Sequence, residues 1–236
     1  MPIHVENLSY VYGSGRLIRP VLKGVSFNVQ EGEILIVTGP SGSGKTTMLT
    51  ILGALRPFTE GSVRVLNDDL KNLSAKALLR VRQRIGFIFQ RHNLLKSLTV
   101  IENVESGLHL LRENDAEMDR IRAKAMLEAV GLGERTNDKP ENMSGGEQQR
   151  VAVARALVRL PDLIIADEPT ASLDAASGRL VANLIRDLAT KFGCMAILST
   201  HDERIFDIAD RRLHVVEGTL QPIVSDRRRI PAAEQQ

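Results

Sequence analysis

A glycine-rich stretch that ends in a lysine and two threonines decides how the chain is interpreted: Gly39-Pro40-Ser41-Gly42-Ser43-Gly44-Lys45-Thr46-Thr47. It follows the continuously apolar run Ile34–Val37, which predicts a strand buried on both faces, and it precedes a predicted helix from Lys45 to about Leu55. Small residues let successive backbone N–H groups point at phosphate oxygens, and a helix N-terminus adds partial positive charge. The stretch therefore predicts a phosphate-binding loop (P-loop), with Lys45 at the outer phosphates of a nucleotide and the Thr46 hydroxyl on Mg²⁺. A dinucleotide-binding loop is excluded, because Thr47 stands where a third glycine is needed.

Two adjacent carboxylates close a second buried strand, Leu163–Ala166. In open parallel sheets, ligands bind beyond the carboxyl ends of the strands, where the P-loop is also expected. Asp167 is therefore suited to hold Mg²⁺, directly or through water, and Glu168 is suited to act as general base toward a water molecule. Alone, the pair would be an ordinary polar strand end. The upstream P-loop instead favours cleavage of a phosphate anhydride.

Composition limits the range of functions. The chain has 236 residues, 31 Lys and Arg against 29 Asp and Glu, and a formal net charge of +2. This balance, together with only 3% aromatic residues, gives no reason to expect a nucleic-acid partner. No run approaches the roughly 20 apolar residues that span a bilayer, and the N-terminus lacks the pattern of a signal peptide. We therefore expect a cytoplasmic protein, and the single Cys194 fits a reducing compartment.

Hydrophobic periodicity predicts an α/β protein. Alternating apolar residues within 3–12 and 25–29 predict an antiparallel pair of strands, and later buried strands alternate with amphipathic helices, which predicts a largely parallel sheet. From 91 to 160 the pattern is helical, with one helix within 99–112, one that opens at Asp115 and one after Ser144. We expect one domain over residues 1–236: a nucleotide-binding α/β core (1–90 and 161–225), an inserted helical subdomain (91–160) and a flexible tail (226–236).

The segment Met143-Ser144-Gly145-Gly146-Glu147-Gln148-Gln149-Arg150 indicates the class of ATPase. It closely resembles the signature motif of ATP-binding-cassette (ABC) ATPases, Leu-Ser-Gly-Gly-Gln/Glu, with Met143 in place of Leu. Because Ser144, Gly145 and Gly146 open a helix, they form a second anion-binding surface. In that family, the signature of one subunit closes over the nucleotide on the P-loop of the other. The resemblance implies a head-to-tail homodimer with two ATP molecules at its interface.

The resemblance extends to four more positions. Gln90 resembles the glutamine that reaches Mg²⁺ and the attacking water, and His201 is similar to the switch histidine that contacts the γ-phosphate. Tyr12 looks like the aromatic residue that stacks on adenine, because the family's spacing favours it over Tyr10. Asp174 ends Ala171-Ser172-Leu173-Asp174, which looks like the loop that communicates across the dimer (D-loop). The implied catalytic residues are Lys45, Gln90, Glu168 and His201, and the implied Mg²⁺ ligands are Thr46, Gln90 and Asp167.

The segments 38–47 and 85–94, and the insert 13–20, resemble the lipoprotein-release, macrolide-exporter and glycolipid-exporter branch of this family. That branch implies an integral-membrane permease on a separate chain, docked at the inner face of the cell membrane, and a periplasmic adaptor reached through the permease. It also implies export or mechanotransmission of a lipid, lipoprotein or amphipathic drug. Leu94, Leu95 and Leu98 are either helix-packing residues or a docking groove for a short helix of the permease.

Other functional classes are weighed against this interpretation. A chromosome-maintenance or repair ATPase inserts a long coiled coil between the two motifs, whereas Lys45 and Ser144 are only 99 positions apart (144 − 45). A ribosome-associated cassette protein generally carries two cassettes in one chain, and this chain has one P-loop. An importer ATPase, or a cell-division regulator that moves no substrate, stays an alternative because the fold does not separate them.

Overall fold

The computed structural model describes residues 2–13, 17–108 and 115–221, which form two β-sheets with helices around them. The strands in these residues are β1 (Ile3–Tyr12), β2 (Arg19–Val29), β3 (Ile34–Thr38), β4 (Glu60–Val65), β5 (Asp68–Asp69), β6 (Ile85–Ile88), β7 (Leu163–Asp167), β8 (Met195–Ser199), β9 (Arg211–Val216) and β10 (Thr219–Gln221). The α-helices are α1 (Lys45–Leu52), α2 (Ala75–Gln83), α3 (Val100–Glu105), α4 (Ala116–Ala129), α5 (Gly145–Leu157) and α6 (Ala175–Phe192). Short 3-10 helices cover Leu70–Asn72, Gly133–Arg135, Pro140–Asn142 and Glu203–Ile208.

The larger sheet carries the P-loop and has the strand order β10-β9-β3-β8-β7-β6. β3 pairs in parallel with β8 and β9, and β7 pairs in parallel with β8 and β6, while β10 runs antiparallel to β9. Parallel neighbours all end at the same edge of a sheet. The residues that follow β3, β6, β7 and β8 therefore meet at one edge, which brings together the P-loop, Gln90, Glu168 and His201.

The strand before the P-loop is buried on both faces, as its continuous apolar run predicts. Ile34 and Ile36 belong to one apolar cluster, which also contains residues of α3, α4, α5 and α6. Leu35 and Val37 belong to the other, which contains residues of α1, α2 and the N-terminal strands. The parallel sheet is thus the middle layer of the molecule, and helices cover both of its faces.

The smaller sheet is antiparallel and has the order β2-β1-β4-β5. The pairing of β1 with β2 confirms the antiparallel pair that the alternation predicts. The sequence pattern does not predict β4 or β9, because β4 opens with Glu60-Gly61-Ser62 and β9 opens with two arginines. Together, the two sheets match the predicted fold class: a mostly parallel α/β core with an N-terminal antiparallel part and helices between 91 and 160.

The described part of 91–160 contains α3, α4 and α5 and no strand. Asp115 caps α4 and Ser144 caps α5, as predicted. α3 is shorter than the predicted segment 99–112: a capping box at Thr99 starts it and it ends at Glu105, while residues 109–114 lie outside the described residues. The subdomain boundaries remain a prediction, and the insert positions 14–16 and the tail 226–236 also lie outside the described residues. Within the described ranges, no helix is both long enough and apolar enough to cross a membrane.

We expect the substitution Leu127→Ala to lower the free energy of unfolding by about 2–5 kcal/mol, because it removes a fully buried side chain from the core beneath α4. Ile121→Ala is the matched control on the same helix: the side chain of Ile121 is 56% exposed, and its loss should change stability by less than about 0.5 kcal/mol. Urea denaturation of both variants measures the difference. Equal losses of stability would contradict the described orientation of α4.

Candidate nucleotide-binding site

Glycine is required at both ends of the P-loop, which runs from β3 into α1. Gly39 has φ 141° and Gly44 has φ 107°, a backbone region that side-chain-bearing residues rarely adopt. A Cβ at Gly39 would collide with the carbonyl oxygen of Val215, and one at Gly44 would lie 2.8 Å from that of Val21. A Cβ at Gly42, in contrast, would meet no atom of the described residues within 4 Å. The loop therefore curls tightly and leaves open space beside its middle.

Lys45 and Ser43 place polar groups on this loop. Lys45 Nζ donates hydrogen bonds to the carbonyl oxygens of Gly39, at 2.7 Å, and Pro40, at 3.0 Å. Ser43 Oγ is buried and has no hydrogen-bond partner among the described residues. An unpaired buried hydroxyl is unfavourable, and a phosphate oxygen bound in the loop would satisfy it. The residues present fit an anionic ligand of this kind.

The predicted Mg²⁺ ligands Thr46 and Asp167 touch each other. Thr46 Oγ1 donates to Asp167 Oδ2 at 2.7 Å, although the two residues are 121 positions apart. Both supply hard oxygen atoms, which are the ligands that Mg²⁺ prefers. The described residues contain no group of three or more His, Cys, Asp or Glu that could hold a metal. An ion beside Thr46 and Asp167 would therefore depend on phosphate oxygens and water for its other ligands, as is usual for Mg²⁺.

Glu168 has a strained backbone and one free carboxylate oxygen. Its φ is 52°, and its N–H donates to the carbonyl oxygen of Ser199 at 2.9 Å and to Ser199 Oγ at 3.2 Å. Glu168 Oε1 lies 3.0 Å from His201 Nδ1, and the buried Oε2 has no hydrogen-bond partner among the described residues. A non-glycine residue held at positive φ is typical of a functional position. A buried acceptor without a partner is unfavourable, which marks this oxygen as a candidate for a ligand contact at the carboxyl edge of the sheet.

His201 is the more open member of this pair. The side chain of His201 is 79% exposed, whereas that of Glu168 is 13% exposed. The imidazole therefore keeps one face free for a ligand while its Nδ1 is held by the carboxylate. The structure thus brings these two predicted site residues into contact, although they are 33 positions apart.

Tyr12 lies beside Thr47, the residue that follows the Thr46 bonded to Asp167. Its ring meets that of Tyr10 edge-on at 5.1 Å, the guanidinium of Arg56 lies 5.0 Å from its centroid, and its hydroxyl is 3.3 Å from Thr47 Oγ1. These contacts fix the ring beside the loop. A cavity of about 280 Å³ joins the ring to the loop, lined by Tyr12, Arg19, Val21, Gly42, Gly44, Lys45, Thr46 and Thr47. The structure thus brings Tyr12, but not Tyr10, into one cavity with the P-loop.

Gln90 lies at the same edge but forms no hydrogen bond with the other predicted ligands, Thr46 and Asp167. It follows β6, in which Ile88 is paired with Ala166, so that Gln90 leaves the sheet next to Asp167. Its side chain is exposed and has no hydrogen-bond partner in the described part of the chain. The fold therefore places Gln90 near the metal ligands without bonding it to them.

The signature residues lie outside the P-loop cavity. Ser144 forms a capping box with Glu147, and these hydrogen bonds lower the pKa of the Glu147 carboxyl. The helix beyond it is buried, but Ser144, Gly145 and Gly146 are not among the residues that line the cavity. Within the described residues, this chain does not bring its own signature to its own P-loop.

Asp174 serves a structural purpose in this chain. Its carboxylate accepts hydrogen bonds from the N–H groups of Ala176 and Ser177 at the start of α6, each at 3.0 Å, and these bonds lower its pKa. The D-loop before it adjoins the signature: a Cβ at Gly146 would lie 3.4 Å from the carbonyl oxygen of Ser172. Asp174 does not line the P-loop cavity.

Ser199 is a site residue that the sequence pattern does not single out. It is fully buried at the end of β8, where its hydroxyl donates to Asp167 Oδ1 and accepts the N–H of Glu168. One hydroxyl thereby fixes both carboxylate-bearing residues. In the sequence, the apolar run before Ser199 indicates only the end of a strand. The role of Ser199 depends on the pairing of β8 with β7, which the sequence pattern does not show.

Known proteins resemble this chain in sequence and in fold. The family described as "ABC transporter" matches residues 22–171, more than half of the chain. The chain therefore belongs to the ABC transporter family, and it is an ATP-binding subunit of that family. The predicted class of ATPase and the predicted fold are both confirmed.

Individual relatives agree with this assignment over nearly the whole chain. The chain is 42% identical over 224 residues to the lipoprotein-releasing system ATP-binding protein LolD of Shewanella frigidimarina, which covers 94% of this chain and 93% of the relative. It is 40% identical to an uncharacterized ABC transporter ATP-binding protein of Methanocaldococcus jannaschii, covering 94% of this chain and 99% of that one. Among solved structures, it is similar to a dimeric ATP-binding cassette in a post-hydrolysis state bound to ADP and Pi, with a TM-score of 0.89, 38% identity and coverage of 93% and 97%.

We expect Ser199→Ala to lower kcat for ATP hydrolysis about tenfold, because Asp167 and Glu168 lose the hydroxyl that orients them. Ser74→Ala is the control: it removes a serine hydroxyl that caps α2, away from the sheet edge, and should leave the rate unchanged. Steady-state phosphate release measures both. A wild-type rate in Ser199→Ala would show that the two carboxylates do not depend on this hydroxyl.

Proposed function

We propose that the chain hydrolyses ATP with Mg²⁺ and drives a separate integral-membrane permease of the lipoprotein-release and exporter branch. The observation that carries the chemistry is the contact of Thr46 with Asp167, beside the free carboxylate oxygen of Glu168. The observation that supports the branch is the similarity, at about 40% identity, to proteins named as ATP-binding proteins of lipoprotein-releasing systems. The transported molecule is then a lipid, a lipoprotein or an amphipathic drug.

The nucleotide is held at both of its ends. The backbone N–H groups of residues 39–44 and the ammonium of Lys45 bind the phosphates, and Tyr12 stacks on the adenine with Thr47 beside it. The lining of the cavity supports this arrangement, because it joins Tyr12 to the P-loop without interruption. Lys45 exchanges its bonds to the neutral carbonyl oxygens of Gly39 and Pro40 for stronger bonds to phosphate, in which donor and acceptor are both charged.

The hydrolysis step depends on the residues at the carboxyl edge of the sheet. Thr46, Asp167 and Gln90 would hold Mg²⁺, which when bound neutralises charge that develops on the phosphates. Glu168 uses its free oxygen to orient the attacking water and to accept its proton. His201, held by Glu168, contacts the γ-phosphate with the face that solvent reaches. The rate enhancement comes from positioning and electrostatics.

Each site needs residues of a second chain. Because the signature of this chain does not line its own P-loop cavity, we infer a head-to-tail homodimer in which Ser144, Gly145 and Gly146 of one chain close over the ATP of the other. The start of α5 suits this role, since its free N–H groups and positive dipole end attract phosphate. Asp174 and its D-loop lie beside the signature and would meet the partner at the same interface. The dimeric state of the similar cassette supports the arrangement.

The chain docks on its permease at the inner face of the cell membrane, and through the permease it acts on a periplasmic adaptor. Leu95 supports a docking surface, because its side chain is 51% exposed in the loop after Gln90. Leu94 is partly buried against the core, so packing accounts for it. The loop follows Gln90 directly, which suits transmission between nucleotide and permease. Nucleic acid is not a partner in this proposal.

We expect Glu168→Gln to abolish ATP turnover while ATP binding persists, because the amide cannot accept the proton of the attacking water. The variant should accumulate as an ATP-bound dimer in size-exclusion chromatography. Glu128→Gln, an exposed change on α4, is the control and should hydrolyse ATP like the parent. If Glu168→Gln hydrolysed ATP at the parental rate, the assignment of the base would be wrong.

We expect the tagged chain, purified from native membranes in mild detergent, to carry an integral-membrane protein with it. Leu95→Glu should reduce the amount of that protein, because it places a charge on the docking surface. Leu79→Glu is the matched control, since Leu79 is 45% exposed on α2, which packs on the opposite face of the parallel sheet from α3 and α5. Recovery of ribosomes or DNA in place of a membrane protein would contradict the transporter proposal.

A further inference from the structure

Arg155, near the C-terminal end of α5, holds the loop that follows Gln90. Its Nη1 donates to the carbonyl oxygen of Asn93 at 2.7 Å, and its Nη2 donates to that of His92 at 2.8 Å. Asn93 has φ 50°, so the backbone turns sharply at the point where it is held. The two bonded carbonyls lie two and three residues beyond Gln90, which itself has no side-chain bond in the described residues.

Ion pairing does not account for this arginine. The guanidinium is partly buried, burial lowers its pKa, and the described residues place no carboxylate against it. A desolvated charge is unfavourable unless its hydrogen bonds are well made, and an apolar side chain of similar size would often fill such a place more favourably. The hydrogen bonds to the two carbonyl oxygens after Gln90 are therefore the interactions that account for an arginine at this position.

The remainder of the loop is bonded to α3. Asn103 is fully buried; its Nδ2 donates to the carbonyl oxygens of Leu95, Leu98 and Thr99, and its Oδ1 accepts the N–H of Leu95 at 2.8 Å. Polar side chains of two helices thus hold residues 92–99 along their length. The loop is joined to β6 by the chain through Gln90, but its hydrogen bonds tie it to α3 and α5.

We propose that Arg155 is a positioning residue for Gln90, which it keeps at a fixed place relative to the signature helix. This inference rests on the role given to Gln90 under the proposed function. The same helix begins at Ser144, which in the proposed dimer closes over the ATP of the partner chain. One rigid helix then links two nucleotide sites. Its N-terminus completes the site of the partner chain, and Arg155 near its C-terminus positions Gln90 in the site of its own chain.

The test is a double-mutant cycle in the full-length chain, read as kcat and KM for ATP hydrolysis. Arg155→Gln should lower kcat about tenfold, because Gln90 is no longer held, and should change KM by less than about twofold, because the P-loop is untouched. In a Gln90→Ala background, the same substitution should cause no further loss of kcat. Arg155→Lys keeps the charge but loses the planar guanidinium that bonds both carbonyls, so its kcat should lie between those of the parent and Arg155→Gln.

Arg159→Gln is the matched control, two residues beyond the end of the same helix. Arg159 is also partly buried, but its Nη2 donates to the carbonyl oxygen of Ile85 at the start of β6 rather than to the loop. Its kcat should stay within about twofold of the parent. Urea denaturation of each variant separates loss of rate from loss of folding, and Arg155→Lys serves if Arg155→Gln does not fold.

The outcomes separate this inference from the proposed function. If Gln90→Ala slows hydrolysis but Arg155→Gln and Arg155→Lys do not, the positioning role is overturned and the proposed function stands. If the losses of Arg155→Gln and Gln90→Ala multiply in the double variant, Arg155 acts elsewhere and the inference is likewise overturned. If Gln90→Ala hydrolyses ATP at the parental rate, the proposed role of Gln90 is wrong and the inference about Arg155 is overturned with it.

Discussion

The hydrogen bond between Thr46 and Asp167 is the interaction on which the site depends. It closes the distance between the first residues of α1 and the end of β7, two strands away in the sheet from the P-loop strand β3. The parallel order of β3, β8 and β7 makes this meeting possible, because all three strands release their chains at one edge. β3 and β7 are buried on both faces, so the apolar layers hold in place the strands whose ends carry the polar residues of the site.

Much of this could be predicted from the sequence, and the reason differs from residue to residue. The P-loop, the buried strand before it and the carboxylate pair Asp167–Glu168 are local patterns whose chemistry follows from residue type and spacing. The caps at Asp115 and Ser144 were predictable because capping is also local. Tyr12 and Gln90 came from a resemblance; the structure places Tyr12 in the P-loop cavity and Gln90 after β6, the strand paired with β7.

The missed features are those created by contacts between distant parts of the chain. Ser199 and Arg155 look like an ordinary strand end and an ordinary helix cation in sequence. Their partners, Asp167 and the carbonyls of His92 and Asn93, lie 32, 63 and 62 positions away. β4 and β9 were missed for a related reason: their mixed polar sequences do not predict strands, and they form strands because they pair with neighbouring strands.

The central claim is that one chain holds only half of each site, and mixing two inactive variants tests it most directly. Lys45→Ala disables the P-loop, and Ser144→Arg disables the signature. A head-to-tail dimer of one chain of each kind contains one site whose P-loop and signature are both intact. The account predicts that co-expressed or exchanged chains hydrolyse ATP well above the sum of the separate variants. Activity no greater than that sum would contradict a site shared between two chains.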